Sequence, residues 1–300
     1  MRTVSFSQFL HETDNTELFD IMYRVQTIAP IPKTAAEMLI HLVRTHMAVG
    51  SDPEAVATWI ATQSYDHVDA CIDSRIAHLV SQSAQILNLE PAECRKVWKR
   101  LVKQMARENT RFHQVRPQDE ANHPAEETLL LYLVEQQLVR QVRRIDRPQQ
   151  PYESYVYHSK YKYYMQDTGL FRRLTGLPAT AVNAEEPTLS RFRGVLSESY
   201  ALQGLVPLCE QGPWYWKSGH QAEVDFVLSL NDTIVPVEVK TARNVTSHSL
   251  ARYRQLYAPE AAVRLSLLNL KRDDDLVNVP LYMTEFIPHI LTLFRKMETP

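Results

Sequence analysis

Residues 222–242 read AEVDFVLSLNDTIVPVEVKTA, two apolar strands around a polar turn, with Glu223, Asp225, Glu238 and Lys240 on strands otherwise built to be buried. With Asn231-Asp232 as the two-residue loop of a hairpin, Leu230 faces Thr233. Stepping back along the strands then sets Asp225 opposite Glu238 and Glu223 opposite Lys240. Side chains two apart on a strand share a face, so all four project together. Like charges at opposed positions, whose Cβ atoms lie about 4.5–5.5 Å apart, repel each other, and the fold has to offset that. A divalent cation would do so, because Mg²⁺ is held by one or two carboxylates completed by water or phosphate oxygens. Lys240 would add a second positive charge. A solvated sheet face with a Glu223–Lys240 salt bridge and an idle Asp225 reads the same residues as well, and the hairpin alone does not choose between the two.

The rest of the chain narrows the chemistry. Its seven glycines form neither G-x-G-x-x-G nor G-x-x-x-x-G-K-[ST], the loops whose amides close around phosphates, so nucleotide binding of the P-loop or Rossmann kind is not expected. A net charge of -2 means that any nucleic-acid surface must be local. No stretch approaches the roughly 20 apolar residues of a membrane span, and the N-terminal segment lacks the apolar core of a signal peptide. A cytoplasmic protein with no membrane partner is expected. Three cysteines far apart give neither a disulfide framework nor a Cys-based zinc site.

Three regions emerge. Residues 1–116 show apolar positions at helical spacing, with Asp52-Pro53 and Glu90-Pro91 as helix starts. Within that region Trp98, Leu101, Val102 and Met105 form an apolar face, while Lys96, Lys99, Lys103 and Arg107 form a basic stripe that either grips phosphates or is a solvated face. Residues 117–182 read as a winged-helix-like domain: a helix running into a strand, a turn, a second strand and a short helix. The wing is rich in tyrosine and carries Lys160 and Lys162, a pattern that suits base stacking and equally an ordinary half-buried β-ribbon. Residues 183–300 open with a linker at 183–189. The order α-β-β-β-α-β that follows predicts an α/β sandwich around a mixed sheet, and the chain as a whole is α+β.

On the helix that opens this last region, Glu198 is flanked by Val195, Leu202 and Leu205 at helical spacing, which sets its carboxylate on the face that packs on the sheet. Gly194, one turn earlier, leaves room for close backbone approach. A buried carboxylate aimed at a hairpin with Asp225, Glu238 and Lys240 outlines a metal site.

Glutamate on the first helix, then Asp, about a dozen residues, and Glu-x-Lys resembles the PD-(D/E)XK nuclease superfamily. More narrowly, RGVLSESYALQGL, WYWKSGHQAEVDFVL, IVPVEVKTARNVTSHSLARYRQLY and YKYYMQDTGLF look like the C-terminal domain of a large bacterial and archaeal AAA+ ATPase family. That resemblance covers nearly the whole chain and implies a helical region, a winged helix and a restriction-endonuclease-like domain. SFSQFL is similar to the segment just after the ATPase core, so the chain would be a cut-down homologue or the remnant of a split gene, without ATPase activity. GSDPEAV stands where the family has a double-glycine segment. The resemblance implies that Asp225 and Glu238 hold Mg²⁺ or Mn²⁺, that Glu198 completes or tunes the site, and that Lys240 orients water or steadies charge on the phosphate; Glu223, which has no family role, would pair with Lys240.

Three functions follow as expectations. One is a metal-dependent nuclease that uses the winged helix to place DNA. Another is a non-catalytic interaction module serving an ATPase in trans. The third, resting on the winged helix alone, is a sequence-specific DNA-binding regulator.

Overall fold

Helical periodicity over the first hundred residues becomes six helices in the computed structural model, which describes residues 3–107, 124–182, 190–219, 222–240 and 247–298. They are α1 (Phe6–Glu12), α2 (Thr16–Tyr23), α3 (Lys33–Val49), α4 (Pro53–Thr62), α5 (Tyr65–Leu87) and α6 (Pro91–Arg107). Next come α7 (Pro124–Glu135), β1 (Val139–Ile145), β2 (Val156–Met165), α8 (Thr168–Thr175) and α9 (Ser190–Leu205). The chain continues through β3 (Gln211–Ser218), β4 (Ala222–Leu230), β5 (Thr233–Val239), α10 (His248–Tyr257), β6 (Ala262–Ser266), β7 (Lys271–Asp273), β8 (Leu276–Pro280) and α11 (Ile287–Glu298). A helical N-terminal region followed by a mixed sheet is the α+β class that the sequence predicts.

The chain forms two compact units: residues 1–4, 44–141 and 159–200, and residues 5–43, 142–158 and 201–300. In the first, Trp98 is wholly buried and donates its indole N–H to Ser83 Oγ at 3.3 Å. A second organiser is Asp167, the N-cap of α8. Its carboxylate accepts the N–H groups of Leu170 (2.7 Å), Ser51 (2.6 Å) and Asp52 (3.0 Å) and the Ser51 hydroxyl (3.0 Å). Gly50, at φ +92°, makes this approach feasible: a Cβ there would lie 2.7 Å from Asp167 Oδ1. One turn into α8, fully buried Arg172 donates to the carbonyls of Ala48 (2.8 Å) and Leu177 (3.3 Å) and pairs with Asp69. The segment QDTGLFRR is therefore a packing device.

In the second unit the sheet order is β2-β1-β3-β4-β5-β6-β8-β7, with residues 156–158 and 142–145 as the contributions of β2 and β1. The strands expected to form the wing of a separate domain are thus part of the main sheet, β2 as its edge strand and β1 between β2 and β3. Arg143, Arg144 and Ile145 run parallel to Trp214, Tyr215 and Trp216. The cause is apolar: Ile145, Tyr152 and Val156 join one core with Trp214 and Trp216, and the Tyr152 ring lies 5.2 Å from that of Trp214. An isolated two-stranded ribbon could not bury those groups.

Residues 5–43 also group with the sheet and not with the helices that follow them. Glu285 accepts the Phe6 N–H at 3.0 Å, Asn269 accepts the Ile31 N–H at 3.1 Å and donates to the Ile31 carbonyl at 2.9 Å, and the His289 ring meets the Val25 carbonyl at 2.7 Å. The boundaries read from sequence near 117 and 183, and the linker at 183–189, lie outside the described residues. Gly194 does not mark a close approach, since a Cβ there would meet nothing within 4 Å; at Gly204 one would come within 2.9 Å of the Thr284 side chain.

Candidate functional site

The charged hairpin forms in the predicted register. Leu230 pairs with Thr233, and the ladder runs back to Phe226 opposite Val237. Asn231 and Asp232 both take positive φ, 48° and 59°, as a type I′ turn requires and as Asn and Asp tolerate. One residue beyond the last rung, Asp225 changes the pattern: its Oδ2 accepts the Val239 N–H at 2.9 Å. The Asp225 carboxylate is thereby fixed against the peptide that follows Glu238.

Glu238 is buried, 4% exposed. A buried carboxylate without partners is costly, and this one has two kinds. The Lys240 ammonium lies 2.5 Å from Oε1, and the Ser247 hydroxyl donates to Oε2. Ser247 is also the N-cap of α10, accepting the Leu250 N–H at 3.0 Å, so the helix start and the carboxylate share one hydroxyl. The ion pairs differ from the expected Glu223–Lys240 bridge. Glu223 meets Lys217 at 3.1 Å, its register partner on β3, because the β4–β5 ladder stops at Phe226–Val237 and leaves Glu223 directly opposed on the β3 side. On the far side of β5, Arg264 of β6 is the parallel register partner of Glu238. Burial pulls the Arg264 guanidinium below the usual arginine range, while the Glu238 charge pushes it back up.

The other predicted residues divide. Glu198 lies half-buried on α9 in the first unit, beside buried Val195, and accepts the Tyr164 hydroxyl at 2.9 Å. Lys162 is 3% exposed and is removed from the list of surface phosphate contacts. It falls two residues before Tyr164, on the same buried side of β2, where the alternation of the strand turns inward. Lys160 is exposed. On α6, Trp98, Leu101, Val102 and Met105 are buried and Lys96, Lys99 and Lys103 are exposed, so the two faces are as predicted; Lys96 pairs with Glu93 at 2.7 Å. The Arg107 side chain lies outside the described residues.

Among the described residues no group of three or more His, Cys, Asp or Glu side chains gathers as a metal site. Asp225 and Glu238 alone still match the donor set of Mg²⁺, for which two carboxylates with water and phosphate oxygens suffice. Sequence reasoning missed Ser247 and Arg264. A Ser three residues before a helical apolar position is a readable cap signal, but a parallel partner on a later strand leaves no local signal.

Two family models match separate stretches of the chain. Residues 193–283 match the model of a domain of unknown function, DUF4143, and residues 40–181 match that of another, DUF8612. No curated protein matches. Among solved structures, the crystal structure of protein VC1899 from Vibrio cholerae aligns at 14% identity and a TM-score of 0.24, over 75% of this chain and 56% of that one. This chain thus spans little more than half the length of that protein, and the β4–β5 hairpin and α9 from residue 193 onward fall within the DUF4143-like region.

Proposed function

We propose that the chain carries a divalent-cation-dependent phosphodiesterase site acting on nucleic acid, centred on Asp225 and Glu238. The observation that supports it best is the buried Glu238 carboxylate, set one rung from Asp225 and contacted by Lys240. Asp225 is half-buried and Glu238 buried, and opposed like charges in a sheet are destabilising while a buried carboxylate is costly unless partnered. Asp225 and Glu238 would hold Mg²⁺ or Mn²⁺, and such an ion, when bound, polarises a phosphoryl oxygen and activates water. The chain's own groups would do the rest. Lys240 is a compact positive charge beside the site, suited to orienting a water or meeting charge on a phosphate. Ser247 fixes the second Glu238 oxygen. Lys99 and Lys103, exposed on α6, would contribute salt-dependent contact with the nucleic-acid backbone. The resemblance to domains that follow AAA+ cores adds an ATPase as a partner, in the cytoplasm.

Calorimetric titration of Mn²⁺ into the wild type, Asp225→Asn and Glu238→Gln, with plasmid and single-strand cleavage on the same preparations, tests this. Binding and cleavage lost together in both variants is the expected result. Wild type that binds no cation and cuts nothing would overturn it.

One observation favours a second reading, the non-catalytic interaction module: both Glu238 oxygens are engaged by groups of the chain itself. On that reading the polar cluster is a closed network, and Lys240→Ala would destabilise the fold without altering any cation affinity.

A further inference from the structure

Beyond the two carboxylates, one cation near the site has neither a hydrogen bond nor a close ion pair among the described residues, although it feels the charges of Glu238 and Asp273. Arg264 sits on β6 directly beside Glu238 in the parallel register, and its other register partner, Asn278 of β8, is committed elsewhere. The Asn278 amide donates to the carbonyls of Leu268 and Asn269 at 3.2 and 3.0 Å, and its oxygen accepts the Ser266 hydroxyl at 2.8 Å. Neighbouring acids and cations are likewise matched: Arg254 with Asp275, Lys271 with Asp273 at 2.6 Å, and Lys240 with Glu238. The Arg264 guanidinium has no ion pair and no hydrogen bond among the described residues, although its Nε is buried from solvent. A buried N–H without an acceptor is costly, and the half-buried Arg264 side chain carries a fork of five N–H groups that matches the oxygens of a phosphate.

We propose that Arg264 is the anion-binding arm of this site, and that it takes the non-bridging oxygens of a nucleic-acid phosphodiester on the β6 side of Glu238. The inference rests on the phosphodiesterase reading for its substrate class, but the geometry that carries it is independent of any bound cation. Lys240 and Arg264 flank Glu238 from its own strand and the next one, so a phosphate drawn to Arg264 would be held beside the carboxylate pair. Arg264 would then be a binding residue for the substrate, with Lys240 left to act near the reacting oxygen.

The test uses the full chain and a short fluorescent phosphorothioate oligonucleotide, whose binding is read by anisotropy with and without Mn²⁺, alongside calorimetry of Mn²⁺ alone. Arg264→Gln is expected to weaken oligonucleotide binding on the order of ten- to a hundredfold while leaving Mn²⁺ affinity unchanged. Arg264→Lys, which keeps the charge without the fork, should recover part of the loss and guards against a Gln variant that fails to fold. Should the wild type bind no Mn²⁺ yet lose the oligonucleotide in Arg264→Gln, the metal site fails and the anion arm stands. Oligonucleotide affinity that is the same in wild type and both variants, or absent from the wild type, overturns the proposal whether or not Mn²⁺ binds.

Discussion

The carboxylate of Asp225 accepts the Val239 N–H at 2.9 Å, one residue beyond the Phe226–Val237 rung of the hairpin. A side chain here takes over from the backbone ladder, and that opens the end of the hairpin where Glu238 and Lys240 lie. Asparagine can still accept the Val239 N–H but cannot carry charge, whereas alanine leaves that donor unmet. Asp225→Asn should therefore unfold within about 1 kcal/mol of the wild type, and Asp225→Ala should lose roughly 1–3 kcal/mol, both read from urea unfolding. Cation affinity should vanish in both. An Asn variant that binds Mn²⁺ like the wild type would remove Asp225 as a ligand.

The hairpin was legible because everything it needs is local: an Asn-Asp turn that accepts positive φ, alternation on either side, and a register that follows by counting. Its ion pairs were not, because Lys217 reaches Glu223 from a strand whose register is interrupted by two shifts between Gln211 and Trp216. The supposed wing failed for a similar reason. Periodicity located β1 and β2, but only the apolar needs of Trp214 and Trp216 decide that they join the main sheet. Lys162 shows the limit of reading charge as surface: its neighbour Lys160 is exposed and it is not, and the burial pattern of β2 changes between them.

Asp167 should be the most sensitive carboxylate of the first unit. An N-cap alone contributes about 0.5–2 kcal/mol, but this one also satisfies the Ser51 and Asp52 amides. Asp167→Ala is expected to cost about 3 kcal/mol or more, since each stranded buried donor adds to the cap. Gly50→Ala should also destabilise, by at least about 1 kcal/mol, through its left-handed φ. Because the added methyl collides with the Asp167 carboxylate, the double variant should lose less than the two single losses combined. Strict additivity in thermal and urea unfolding would refute the contact.

Arg172 offers a sharper contrast between charge and shape. Its guanidinium serves Asp69 and two carbonyls at once, while Arg173 reaches the same Asp69 at 3.1 Å. Removing Arg172 should cost about 3–5 kcal/mol, the usual result of breaking a buried pair. Lysine, which has the charge but not the fork, is expected to restore less than half of the loss. A Lys variant as stable as the wild type would show that charge alone suffices there.

His46 gives the first unit a defined pH dependence. It is fully buried, its Nδ1 lies 3.0 Å from the Tyr200 hydroxyl, and burial lowers its pKa from 6.5 to about 3, against a smaller upward push from a hydrogen bond with the Val4 backbone. The folded chain thus holds this ring neutral where the unfolded chain protonates it. Stability contributed by the neutral ring is fully present above pH 6.5 and is lost as pH falls from there toward 3, with the folding equilibrium shifting roughly tenfold per pH unit. Asp167 acts in the opposite sense, because burial raises its pKa and favours the protonated folded form at low pH. The two are separated by comparison with His46→Gln, which keeps a hydrogen-bonding group near Tyr200 but cannot titrate. Between pH 6.5 and 5 the wild type should lose more than a factor of ten in its folding constant relative to the variant, as measured by urea unfolding at each pH. Parallel curves for the two proteins would mean that His46 does not stay neutral in the folded state.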